Sequence, residues 1–148
     1  MNSNRSGRSV DIALLVLRVG IGTSIILFHG WGKITGGPDR WQRVGGAMAN
    51  LGIDFMPTLW GFLAAFSESV GSLLLAVGLL ARPSAGLLAG TMAVAAISHL
   101  ARPAGDPGAG FGGASHALEL LCVYVALLLA GPGRFSLDRV FGRRRKAS

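Results

Sequence analysis

Four apolar runs dominate this chain, and each comes close to the roughly 20 residues that an α-helix needs to cross the hydrocarbon core of a bilayer. They are "VDIALLVLRVGIGTSIILFHGW" (about 10–31), "PTLWGFLAAFSESVGSLLLAVGLLA" (57–81), "PSAGLLAGTMAVAAISHLA" (83–101) and "ASHALELLCVYVALLLAG" (114–131). Lipid offers no hydrogen-bond partners to a backbone, so runs of this length read as helices. The expected fold class is therefore all-α: a transmembrane four-helix bundle in a single domain of 148 residues. Composition agrees, because only 14 % of the residues are charged, against about a quarter in water-soluble domains. The first run starts after Arg5 and Arg8, as a signal peptide would. It is too long for one, Arg18 interrupts it, and no A-x-A site follows, so it reads as a retained helix.

The net charge is +7, but the basic residues sit at the ends of the apolar runs rather than among exposed aromatics. That pattern suits lipid headgroups and argues against nucleic acid as a partner. With four crossings both termini share one side. Arg5, Arg8, Arg82, Arg134, Arg139, Arg143, Arg144, Arg145 and Lys146 lie there, against Lys33, Arg40, Arg43 and Arg102 on the other. The bias predicts cytoplasmic termini in a plasma membrane, with residues 134–148 a basic cytoplasmic tail. Trp31, Trp41 and Trp60 would form an aromatic belt at the outer face.

The connections differ in kind. "ARPS" between the second and third runs predicts a tight antiparallel hairpin. "PDRWQRVGGAMANLGI" carries Trp41, Val44, Met48 and Leu51 at helical spacing, which predicts a short amphipathic helix on the outer face after helix 1. Ser136 is placed to cap a short helix bearing Leu137, Val140 and Phe141. Gly86 and Gly90 form a small-xxx-small pattern on the third helix and are expected to let helices approach closely.

Polar groups inside the runs are expensive in lipid and need partners or work to do. Arg18 and Glu68 fall near the middles of the first and second runs, which predicts a buried ion pair. Arg18, Gly22, Ile25 and His29 share a helical face, and His29 stands four residues before Lys33. His99 ends the third run, while His116 and Glu119 stand three apart at the start of the fourth. His29, Lys33, Glu68, His99, His116 and Glu119 are therefore the candidate polar pocket, opening toward the outer leaflet. His29 has a second reading as an interfacial side chain reaching the headgroups. His116-x-x-Glu119 on one helix with two further histidines supplies enough ligands for a metal, but the motif is a weak one, and no metal is assigned. Cys122 is the sole cysteine, so no internal disulfide or CxxC exchange is available.

These residues together resemble the DoxX family of small bacterial membrane proteins, within the DoxX/DoxD-like group. The resemblance rests on Arg18, "HGWGK" (29–33), "ESVGSLLLAVGLLAR" (68–82), Glu119 and "GPGRFSLD" (131–138). It implies a multi-pass inner-membrane protein with a quinone-linked redox role, at most the membrane subunit of an oxidoreductase. With no soluble catalytic domain and no cysteine pair, such a subunit would need a soluble or membrane redox partner. The other reading is a non-enzymatic small transporter, scaffold or assembly protein.

Overall fold

The computed structural model describes residues 3–144, with side chains for 7–142; Arg5 and the Arg143–Lys146 run fall outside the described side chains. The described residues are mostly helical and contain no strand. Four helical stretches are long and apolar enough to span a membrane: Gly7–Ile34, Pro57–Val77, Ala81–Leu100 and Gly110–Ala130. The first comprises α1 (Ser3–Ile25), a π-helical turn (Ile26–Gly30) and α2 (Trp31–Ile34). The second comprises α4 (Pro57–Phe66), a π-helical turn (Ser67–Gly71) and α5 (Ser72–Val77). The third and fourth are the unbroken helices α6 (Ala81–Leu100) and α7 (Gly110–Ala130). Between the first two spans lie α3 (Gly37–Gly45) and a 3-10 turn (Gly46–Leu51); α8 (Leu137–Arg144) follows the fourth.

The core is small-residue packing, not a thick hydrophobic centre. Ala85, Leu88, Ala89, Met92 and Ala96 on α6 bury against Ala114, Ala117, Leu120, Tyr124 and Leu127 on α7. Close approach of this kind substitutes for a hydrophobic drive that lipid cannot supply. The alanines make this contact and the glycines do not. Gly90 has no neighbour within 4 Å of where a side chain would stand, and Gly86 has only Leu128 at 3.9 Å. The expected small-xxx-small packing through Gly86 and Gly90 is thus corrected: that side of α6 is left open.

The amphipathic helix exists, and it is docked rather than floating on headgroups. A side chain at Gly45 would overlap the Pro57 carbonyl, and one at Gly61 would overlap the Trp41 backbone. The two glycines let α3 cross α4 in direct backbone contact. Trp41 donates its indole N–H to the Lys33 carbonyl (2.8 Å) and meets Phe62 edge-on at 5.0 Å. Trp60 donates to the Phe55 carbonyl at 3.1 Å. Of the three tryptophans, Trp31 keeps the lipid-facing exposure of a belt residue, at 65 %.

Arg18 and Glu68 do not pair, which corrects the expected ion pair. The antiparallel register of the first two spans explains it. Gly30 lies against the backbone of Glu68, and Gly22 against Ser72 and Ala76. Arg18 therefore meets the chain near Leu75 and Gly78, seven or more residues beyond Glu68 and about 10 Å away along the axis. There its guanidinium is fully buried and donates to the carbonyls of Phe135 (2.6 Å) and Leu75 (3.4 Å). Gly78, at φ 72°, leaves the space that the guanidinium fills.

Asp138 completes this junction. Its carboxylate accepts from the Leu80 and Ala81 amides at 2.8 and 3.0 Å, satisfying donors at the start of α6. Its own amide donates to the Gly78 carbonyl at 2.9 Å. Ser136, expected to cap α8, instead donates to the Gly133 carbonyl. Asp11 accepts from the Arg134 amide at 2.8 Å.

Replacing Arg18 with methionine removes charge-assisted bonds that cost roughly 1.5–3 kcal/mol each to lose. Arg18→Met should lower thermal stability in detergent, and the losses of Arg18→Met and Glu68→Gln should add in the double variant. Non-additivity above about 1 kcal/mol would show that the two residues communicate after all.

Candidate functional site

The partner of Glu68 is Lys33. The ammonium stands 2.6 Å from each carboxylate oxygen, with Glu68 2 % exposed and the lysine side chain 24 % exposed. This geometry depends on the two π-helical turns, Ile26–Gly30 and Ser67–Gly71, which pack against each other. A π turn inserts one extra residue, rotates the following face and commonly marks a functional position. Here one such turn carries His29 and the other carries Glu68. Gly30 is required between them, because any side chain there would collide with the Glu68 carbonyl.

Two cavities meet at the ion pair. The larger, about 310 Å³, lies between α4, α6 and the 3-10 turn, and it is lined by Leu63, Ala64, Leu87, Gly90, Val94 and Met48 among others. Leu63, Leu87 and Gly90 are exposed, so it opens sideways between the second and third spans, where lipid tails would lie. Lys33 and Glu68 stand in its wall together with Ser67, whose hydroxyl pairs with that of Thr91 at 2.7 Å. It is an apolar groove with a few polar groups, the composition of a site for an amphiphile.

The smaller cavity, about 170 Å³, holds His29, His99, His116, Lys33 and Glu68. The rings of His29 and His116 stack at 5.5 Å and 26°. His99 Nδ1 lies 2.7 Å from the Gly108 carbonyl, an acceptor, so that nitrogen carries the hydrogen. That bond ties the end of α6 to the glycine-rich loop, and Arg102 ties the same loop through the Pro107 carbonyl at 2.8 Å.

Five of the six expected pocket residues thus line one space. Glu119 does not: it is exposed on the outer side of α7, away from both cavities. Cys122, one turn on, is exposed on the same helix. No three His, Cys, Asp or Glu side chains among the described residues converge as metal ligands. The lateral groove was missed in the sequence, although Ser67, Thr91 and Gly90 signal it: small and polar residues facing one another across two apolar runs.

Removing Lys33 alone leaves a buried carboxylate without its cation, and breaking a buried pair in this way costs roughly 3–5 kcal/mol. Lys33→Met should therefore lower the melting temperature in mild detergent more than Lys33→Met/Glu68→Gln does. Equal losses would mean that the pair contributes nothing as a pair.

The DoxX family model matches residues 13–101, which takes in most of the first span, the whole of the second and third, both π turns, Lys33, Glu68 and His99. Comparison with curated proteins found no match, and neither did comparison with solved structures. Together with the four apolar helices, the match makes this a multi-pass membrane protein. The match covers more than half of the chain, and the chain belongs to the DoxX family.

Proposed function

We propose that this chain is the quinone-linked membrane subunit or accessory of an oxidoreductase complex, lying in the bacterial plasma membrane with both termini in the cytoplasm. The observation that carries the reading is the Lys33–Glu68 pair set in the wall of an apolar groove that opens toward lipid. A quinone is an amphiphile of matching layout: a small headgroup with two acceptor oxygens on a long apolar tail. Lys33 would donate to a headgroup carbonyl, and the groove would hold the ring and the start of the tail. Ser67 and Thr91 supply hydroxyls nearby. A quinone takes up two electrons and two protons when it is reduced; this chain's residues bind, orient and handle protons at Glu68. The electrons come from a partner subunit that carries a redox centre.

Glu119 supports the subunit half of this reading. It lies nine residues into α7, exposed, and a carboxylate at that depth costs a few kcal/mol in lipid unless something covers it. A partner helix with a donor at the same depth would do so. That same feature supports the scaffold or assembly alternative, in which the chain organises a complex without touching quinone.

Gly90 separates the two. Gly90→Leu places a side chain into open groove, with no neighbour within 4 Å to clash, so folding should be preserved. If the groove holds quinone, protein purified in mild detergent loses co-purifying quinone by mass spectrometry, by tenfold or more. Lys33→Met should cause a comparable loss, since a hydrogen bond from a charged group contributes about 1.5–3 kcal/mol. A folded Gly90→Leu protein that retains quinone as the parent does would sink the reading.

Orientation has its own check. A C-terminal fluorescent fusion should be bright and a C-terminal alkaline phosphatase fusion inactive; the reverse pair of results would place the termini outside.

A further inference from the structure

Below Glu68 the bundle interior contains polar groups that the ion pair does not use. Ser72 stands one turn along from Glu68, fully buried, and Tyr124 comes in from α7, also fully buried. The Tyr124 hydroxyl is an electrostatic neighbour of Glu68 and lies beside Ser72, yet neither hydroxyl completes a hydrogen bond by distance and angle. The Nε of Arg18, beyond them, is also unsatisfied. Buried polar atoms without partners are uncommon, and ordered water is the usual remedy. Above Glu68 is the histidine cavity, where five polar side chains and a volume of about 170 Å³ meet the conditions for holding water. His116 stands exposed at its rim, six residues into α7 and hence about 9 Å from the helix start, at interfacial depth.

The geometry points to a one-sided proton path: the histidine cavity connects Glu68 to the membrane face opposite the termini, and Arg18 closes the route toward the terminal side. Histidine is the side chain suited to relaying protons near neutral pH. His116 and His29, stacked at 5.5 Å, span the distance between the rim and the cavity that holds Glu68. In the transfer a proton from water joins an imidazole nitrogen, and one N–H bond breaks as an O–H bond forms on Glu68. The carboxylate becomes neutral, and its hold on Lys33 weakens. The charged and titratable groups facing Glu68 are Lys33, His29, His99 and His116 around the cavity and Tyr124 beneath. On the other side the fully buried Arg18 guanidinium is held by two carbonyls. A fixed buried cation of this kind is an electrostatic barrier to protons and cations.

The physiological use of the path rests on the quinone reading: protons exchanged at Glu68 during quinone turnover would come from, or go to, that one face. The path itself needs no quinone, so it is tested on protonation of Glu68 alone. Carbodiimides react with a protonated carboxyl, the O–H adding across a C=N bond. The O-acylisourea so formed rearranges to an N-acylurea or, once the Lys33 ammonium has lost a proton and its amine attacks the acyl carbon, releases the substituted urea and leaves the Lys33–Glu68 amide; mass spectrometry reads either product. In proteoliposomes of one orientation, a water-soluble, membrane-impermeant carbodiimide should modify Glu68 when added on the loop side and at least tenfold more slowly from the terminal side.

His29→Leu/His116→Leu should slow the loop-side reaction by a similar factor. Dicyclohexylcarbodiimide, which arrives through lipid and the lateral groove, should label the double variant as fast as the parent, which certifies the fold. Equal labelling from both sides would overturn the closed terminal end. Unchanged loop-side labelling in the double variant would overturn the histidine route. Slow labelling by both reagents in that variant, with unchanged melting temperature, would show that the histidines act on Glu68 itself and not on access. The two water-soluble arms do not depend on whether quinone is retained by the groove, and the lipid-borne arm compares variant and parent at equal quinone content.

Discussion

The Lys33–Glu68 ion pair organises this membrane domain. A carboxylate 2 % exposed inside a lipid-embedded bundle is tolerable only with a cation in direct contact. Bringing that cation in sets several local features at once. The first span runs on to Ile34 so that Lys33 reaches inward. Gly30 lets the two backbones touch. The two π turns give His29 and Glu68 their facing directions. Trp41 then fastens the Lys33 carbonyl to α3, so the amphipathic helix belongs to the same assembly.

The opposite end has its own charge, handled differently. Among the described residues Arg18 has no carboxylate in hydrogen-bonding contact; it is held by main-chain carbonyls from the end of the second span and from the segment before α8. Asp138 satisfies the first amides of α6 in the same junction. These bonds tie four separate parts of the chain: α1, the end of α5, the start of α6 and the segment leading into α8. The bundle therefore has a tight, ion-closed end and an end that holds cavities. The two sets of buried charge are separated along the bundle axis.

Much of this was legible in the sequence. Lipid leaves little choice for runs of this length, so the four spans and the all-α class followed from hydropathy, with boundaries shifted by a few residues. The gathering of His29, Lys33, His99 and His116 was also readable, because these four stand at the same ends of their runs, with Glu68 deeper in the second run. The pairing was not. Counting residues placed Arg18 and Glu68 both mid-span, whereas pairing depends on the register between two antiparallel helices. That register is set by Gly22 and Gly30, where backbones touch, and a hydropathy profile carries no trace of it. Glu119 failed for a related reason. Its spacing of three from His116 suggested a common face, but α7 packs on α6 through Ala114, Ala117, Leu120, Tyr124 and Leu127, and that packing rotates Glu119 outward.

The same reasoning separates the two cavities chemically. The lateral groove is lined mostly by aliphatic side chains and opens where lipid tails would lie. The histidine cavity is smaller and richer in polar side chains, and its rim reaches interfacial depth. Only Lys33, Glu68 and Ala95 line both. A ligand in the groove and water in the histidine cavity would therefore meet at one carboxylate and one ammonium. When Glu68 is charged, Lys33 is held at 2.6 Å and the groove sees a neutralised pair. When Glu68 is protonated, the lysine charge is released toward whatever acceptor the groove contains. On the proposed reading, the protonation state of this buried carboxyl would set how strongly the groove holds an acceptor headgroup, and would couple proton traffic on one side of the ion pair to binding on the other.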